Sequence, residues 1–165
     1  MIRHAGLVAR RVAGRWCGAL IEGPSGAGKS DLALRAASAG FRLVADDRTL
    51  VWISGGRLYG RAPETLAGLI EARGLGVVRE SAIGFAEIAL VVACAADPSE
   101  VERLPEPGVE RILGIAAPRL ALVAREDSAL AKLQHAMDHL GALRQQAYQA
   151  CPRGGKPVQG LGTRK

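Results

Sequence analysis

Residues 23–30 run Gly23, Pro24, Ser25, Gly26, Ala27, Gly28, Lys29 and Ser30, a full match to G-x-x-x-x-G-K-[ST]. Glycines at these spacings let successive backbone N–H groups turn inward onto an anion, and a helix N-terminus that follows adds its positive end. Lys29 is then placed to reach the β- and γ-phosphates of a nucleotide, and the Ser30 hydroxyl to ligate Mg²⁺. The bland alternative is a glycine-rich turn that closes a strand–helix unit. A Lys-Ser ending serves no packing purpose in such a turn, which favours the phosphate site.

Asp46 and Asp47 follow an apolar stretch, where phosphoryl transfer calls for a magnesium carboxylate and often a base. Neighbouring strand residues point to opposite faces, so both serve one site only if the strand ends or turns there. Two ordinary turn aspartates are the alternative. Glu71 with Arg73, ahead of Gly74 and Gly76, reads by itself as the charged end of a surface helix. His4 either orients a nucleophile or is an exposed residue near the start of the chain. His135 and His139 have the i, i+4 spacing that holds zinc in some helices, but no Cys or third His keeps their register. They read as a solvated face.

These groups need elements to position them. Leu7–Val12 and Trp16–Ile21 around Ala13-Gly14-Arg15 predict a hairpin that leads into the glycine loop. Lys29–Ala39 predicts a helix stopped by Gly40, and Phe41–Ala45 a short buried strand ending at the aspartates. Thr49–Ser54 and Arg57–Gly60 flank Gly55-Gly56, a hairpin signal. Pro63 is suited to open a helix through Leu66, Leu69 and Ile70 that ends at Gly74. Glu87–Ala93 predicts a central strand and Pro98–Pro107 a loop, with edge strands Ile112–Ile115 and Leu120–Val123 around Pro118. A last helix, capped near Asp127-Ser128, carries Leu130, Leu133, Met137, Leu140 and Arg144. The expected fold is therefore α/β: a phosphate-loop domain with a mixed sheet flanked by helices, over residues 1–150. Residues 151–165 follow as a basic flexible tail.

The bulk numbers agree with one globular domain: 165 residues, 48% hydrophobic, 23% charged and a mean hydropathy of +0.11. The longest apolar run, Ile88 to Ala96, falls well short of the roughly 20 residues a spanning helix needs, so no membrane segment is expected. Net charge is +6, but the acid-free ends hold Arg3, Arg10, Arg11, Arg15 and Arg153, Lys156, Arg164, Lys165. Those ends contribute +8, which leaves the body at −2. With no aromatic-interleaved recognition motif, a nucleic-acid partner is not expected. An Arg-rich start raises a transit peptide, yet cleavage there would remove the strand the phosphate loop requires. Cys17, Cys94 and Cys151 form no C-x-x-C pair and suit reduced thiols in a cytoplasmic protein.

The combination resembles the HPr kinase/phosphorylase family in its short form, the catalytic domain alone. The residues that carry the resemblance are the loop Gly23–Ser30, then Arg42-Leu43-Val44-Ala45-Asp46-Asp47 beginning 13 residues after Lys29, then Glu71 ahead of Arg73-Gly74-Leu75-Gly76. The resemblance implies Lys29 as the phosphate-binding lysine, and Ser30, Asp46 and Glu71 around magnesium. It makes Asp47 the proton acceptor for a protein serine, His4 the histidine before the loop and Arg103 the later catalytic arginine. Arg119 falls near the segment tied to dephosphorylation. ATP and Mg²⁺ are the implied cofactors. HPr is the implied acceptor, docking on the Arg73–Gly76 loop and the last helix, and a homo-oligomer such as a hexamer is the implied assembly. A small-molecule phosphate-loop kinase and a non-catalytic nucleotide-dependent switch are the competing readings.

Overall fold

The computed structural model describes residues 1–139. The end of the last predicted helix with Leu140 and Arg144, Cys151, and the tail 151–165 lie outside the described residues.

Strand β1 (Ile2–Arg3) leads into the hairpin β2 (Gly6–Val12) and β3 (Arg15–Glu22), and the phosphate loop joins β3 to α1 (Lys29–Ser38). After α1 come β4 (Arg42–Ala45) and the hairpin β5 (Thr49–Ser54) and β6 (Arg57–Arg61). Gly55 and Gly56 turn that hairpin with φ of 55° and 73°, the left-handed pair a tight two-residue turn needs. A small separate sheet, β7 (Leu69–Ala72) with β8 (Gly76–Arg79), precedes the long strand β9 (Ala86–Cys94). The hairpin β10 (Gly108–Ile112) and β11 (Ile115–Leu122) follows, then α2 (Ala129–His139).

The main sheet has nine strands, and β9 is its hub. One edge of β9 runs parallel to β3. Its other edge pairs antiparallel with β6 at Ala86 and Glu87, then parallel with β11 from Val91 to Cys94. The β3 register skips Ala89, and this bulge shifts the alternation. Ile88 therefore faces one side of the sheet while Leu90, Val92 and Cys94 face the other.

Each face has its own core. On one, Leu32, Ala33 and Ala36 of α1 and Leu133 and Met137 of α2 pack on Val8, Ile21, Leu43, Leu90 and Val92. On the other, no helix takes part among the described residues: Leu7, Leu20, Val51, Leu58, Ile88, Val91 and Ile112 close against one another, so the sheet curls over its own second face. No helix among the described residues is long and apolar enough to cross a membrane.

Two expectations need correction. The helix expected from Pro63 to Gly74 is a single 3-10 turn, Glu64–Leu66, followed by the β7–β8 hairpin. Leu66, Leu69 and Ile70 mimic helical spacing, but Gly68 lies between them with φ 73°, a conformation that ends the turn. From there the pattern has a period of two, with Ile70 and Ala72 buried and Glu71 exposed. The second correction concerns Pro118: the strand expected at Ile112–Ile115 is the β10–β11 turn through Leu113 and Gly114, and Pro118 does not separate two edge strands. It lies inside β11 opposite Val109, and the ladder to β9 starts only at Arg119, so its missing N–H costs no bond on that edge.

Candidate functional site

Because β3, β9 and β11 run parallel, their C-terminal ends lie together, and the phosphate loop starts where β3 stops. This is the end at which open parallel sheets bind ligands. Gly23 leaves β3 with φ 145°, and a Cβ there would stand 2.5 Å from the carbonyl oxygen of Cys94. Only glycine lets the loop pass so close to the end of β9. The loop closes on itself through Ala27 N–H donating to the Pro24 carbonyl at 3.2 Å, and Gly28, at φ 93°, caps α1.

Lys29 is buried, and its Nζ donates to the carbonyls of Gly23 and Pro24, both at 2.9 Å. An ammonium has three protons, so one is left for a ligand oxygen. Ser30 Oγ donates to Asp46 Oδ1 at 2.9 Å, and the backbone N–H of Glu71 donates to Asp46 Oδ2 at 3.1 Å. Asp46 is thus a buried carboxylate whose two oxygens tie the start of α1 to β7.

Asp47 is exposed and its φ is 62°, left-handed backbone for a non-glycine residue. Arg48 N–H donates to the Asp46 carbonyl at 2.7 Å across it, so Asp47 is the tip of a three-residue turn. The turn resolves the question of facing: the strand stops at Ala45, and the two carboxylates need not lie on opposite faces. His4 Nδ1 stands 3.3 Å from Asp47 Oδ1.

The donors around Asp46 suit a hard cation. A hydroxyl and carboxylate oxygens are what Mg²⁺ prefers, and that ion usually takes one or two carboxylates, with phosphate and water completing its shell. His135 and His139 are exposed on α2 with stacked rings, 6.2 Å between centroids, far in sequence from this cluster.

Asp46 thus joins the Ser30 side chain to the Glu71 main chain, Lys29 and Asp47 are the chain neighbours of Ser30 and Asp46, and His4 stands against Asp47; the Glu71 side chain itself is exposed. Arg103 makes no hydrogen bond or ion pair with any of these residues; it is exposed in the stretch between the 3-10 turn Pro98–Glu100 and β10. Arg119 lies on β11 opposite Val91. Sequence reasoning missed Arg125, whose guanidinium donates to the Gly26 carbonyl and whose Cγ would meet a Cβ on Gly28 at 3.1 Å. Arg35 of α1 holds the same connection by donating to the Ala124 carbonyl. No local signal marks it: only the ladder of β11 on β9 carries the chain back to the phosphate loop, where Arg125 is the first charged side chain after β11.

Comparison with known proteins bears on the family and the fold. The family described as "HPr Serine kinase C-terminal domain" matches residues 4–152. HPr kinase/phosphorylase of Leptothrix cholodnii is 38% identical over 132 residues, 72% of this chain and 40% of that protein. HPr kinase/phosphorylase of Clostridium perfringens strain 13 is 46% identical over 66 residues, 40% of this chain and 22% of that protein. The chain thus matches less than half the length of these curated relatives. Among solved structures, the Hpr(Ser) kinase/phosphatase from Coxiella burnetii superposes with a TM-score of 0.74, covering 91% of this chain and 95% of that chain. At 23% identity that likeness is one of fold.

Proposed function

Since the chain belongs to the HPr Serine kinase C-terminal domain family, we propose that it is an ATP- and Mg²⁺-dependent kinase of a serine on the phosphocarrier protein HPr. It also runs the reverse reaction, phosphorolysis of seryl-phosphorylated HPr by inorganic phosphate to give pyrophosphate. The observation that carries this reading is the junction of Ser30 with Asp46 at 2.9 Å, one residue from an exposed Asp47 at the mouth of a phosphate loop.

The loop N–H groups, the third Lys29 proton and the N-terminus of α1 would hold the ATP phosphates. Ser30, Asp46 and Glu71 would hold Mg²⁺, which would supply charge neutralisation to the transferring phosphoryl group. Asp47 takes the serine proton as the seryl oxygen bonds to the γ-phosphorus and the bond to ADP breaks. An aspartate is a weak base, but a loose transition state asks mainly for position and charge. His4, 3.3 Å away, orients that carboxylate. In reverse, phosphate oxygen attacks the seryl phosphorus and Asp47 returns the proton to the departing seryl oxygen. Arg125 over Gly26 and Arg103 are the arginines offered to the transferring phosphoryl group. The acceptor docks on the Arg73–Gly76 turn, at the tip of the β7–β8 hairpin, and on the last helix. The unit acts as a cytoplasmic homo-oligomer, with residues 1–150 as the catalytic domain and 151–165 as a basic tail.

Intact-mass spectrometry of HPr incubated with the protein, ATP and Mg²⁺, then with excess phosphate, tests the reading. One added phosphate on serine, removed with pyrophosphate release, is the expected result. Unmodified HPr in the presence of demonstrable ATP binding overturns HPr as substrate and favours a small-molecule kinase or a switch.

A further inference from the structure

Glu22 ends β3 directly before Gly23, so a carboxylate stands one residue from a loop built to receive phosphates. Its charge opposes the anion that the loop is shaped to hold. Arg3 meets it with a two-pronged contact: Nε lies 2.6 Å from Oε1 and the second guanidinium nitrogen 2.7 Å from Oε2. The same guanidinium reaches Glu110 Oε1 on β10 at 3.5 Å. Side-chain exposures of 22%, 20% and 33% for Arg3, Glu22 and Glu110 leave the cluster less open to screening than a surface pair.

Arg3 is itself held in place. It pairs with Thr49 in the β1–β5 ladder, and the buried Thr49 hydroxyl donates to the Ala5 carbonyl at 2.8 Å. A guanidinium fixed by its main chain, with a planar fork matched to a carboxylate, loses little freedom in forming this pair. With Arg3 present the three charges sum to −1; without it, the two carboxylates are left unopposed and the net charge beside the start of the loop is −2. The cluster uses none of the groups assigned to phosphate, metal or proton transfer.

We infer that Arg3 is a positioning residue for the nucleotide site, acting through Glu22: it cancels the carboxylate charge at the start of the phosphate loop and so sustains affinity for polyphosphate. The inference rests on the nucleotide-binding reading of Gly23–Ser30.

The test is the dissociation constant of Mg-ADP at 50 mM and 500 mM salt for the unsubstituted protein, Arg3→Met, Arg3→Lys, Glu22→Gln and the Arg3→Met/Glu22→Gln pair. Arg3→Met is expected to weaken binding about 5- to 10-fold at low salt and less at high salt. Arg3→Lys, which keeps the charge, retains most of the affinity, and Glu22→Gln binds as well as or better than the unsubstituted protein. Adding Glu22→Gln to Arg3→Met restores affinity to within about 2-fold, because the cluster returns to the net charge of −1 that it carries in the unsubstituted protein. A role limited to holding strands together gives another pattern: the double variant is as weak as Arg3→Met, Glu22→Gln alone also weakens binding, and salt changes nothing. That pattern overturns the inference. No ADP binding by the unsubstituted, folded protein overturns the nucleotide reading, and this inference with it.

Discussion

Ser30 Oγ and Asp46 Oδ1 stand 2.9 Å apart, joining the first turn of α1 to the residue just past β4. The hydroxyl orients a buried carboxylate that sequence alone could place only at a strand end. Ser30→Ala is expected to lower the affinity for Mg²⁺ in the nucleotide complex by about 10-fold, the order seen when a partner of a metal carboxylate is lost. Asp46→Asn keeps the shape and removes the charge, so it should lower that affinity further. Nucleotide titrations across a range of Mg²⁺ concentrations read the effect. An unchanged Mg²⁺ dependence in Asp46→Asn would exclude this carboxylate from the metal site.

Asp47 holds a strained turn, with φ 62° and Arg48 N–H bonded back to the Asp46 carbonyl. Such strain concentrates at functional positions, where the surrounding structure compensates for it. Glycine relaxes it, so Asp47→Gly should stabilise the fold by up to about 1 kcal/mol. The same change removes the carboxylate proposed as the base and should slow phosphoryl transfer by about 10²- to 10⁴-fold, while Asp47→Asn should do so with little change in ATP binding. Thermal melts, ATP titrations and transfer rates separate the effects. Transfer that survives in both variants assigns the proton to another group.

Much of this is legible in the sequence. The glycine loop, α1, β4 and the β5–β6 hairpin follow from local signals: a strand running into Gly23, a stop at Gly40, and Gly55-Gly56 between alternating residues. Lys29, Ser30, Asp46 and Asp47 come with those elements. What failed was decided at a distance. Leu66, Leu69 and Ile70 satisfy helical spacing by coincidence, and the pairing of Glu71 with Val77 across a hairpin overrides it. The parallel ladder of β11 on β9 tolerates Pro118, and only that ladder brings Arg125 to Gly26. Arg3 and Glu22, 19 residues apart, meet because β1 folds back to join β5.

Gly23 and Gly26 both have positive φ, but their surroundings differ. A Cβ on Gly23 would press on the Cys94 carbonyl at 2.5 Å, whereas nothing lies within 4 Å of one on Gly26. Gly26→Ala therefore carries only the backbone strain of a left-handed alanine, about 1 to 2 kcal/mol. Gly23→Ala adds a clash with backbone that cannot rotate away, and the loop must shift off the end of β9. The expected outcome is loss of nucleotide binding by more than about 10-fold in Gly23→Ala and a smaller loss in Gly26→Ala. Equal losses would mean that strain alone governs the loop.

Cys94 gives a pH dependence of known sign. It is a buried free thiol at the end of β9, and burial pushes its pKa from the ordinary 9.0 up to about 11, with Lys29 pulling weakly the other way. A thiol that ionises less readily in the folded state contributes stability that is complete below about pH 9 and lost as pH rises through about 11. The difference of about two units corresponds to roughly 2 to 3 kcal/mol. Urea unfolding at pH 8 and pH 11 should show a steeper loss for the unsubstituted protein than for Cys94→Ala, which has no thiol to ionise. Cys94 should also resist alkylation at pH 8 in the folded protein, as read by peptide mapping, and react once urea exposes it. Equal pH slopes for both proteins, or rapid labelling of Cys94 in the native state, would show that the end of β9 opens to solvent behind the phosphate loop.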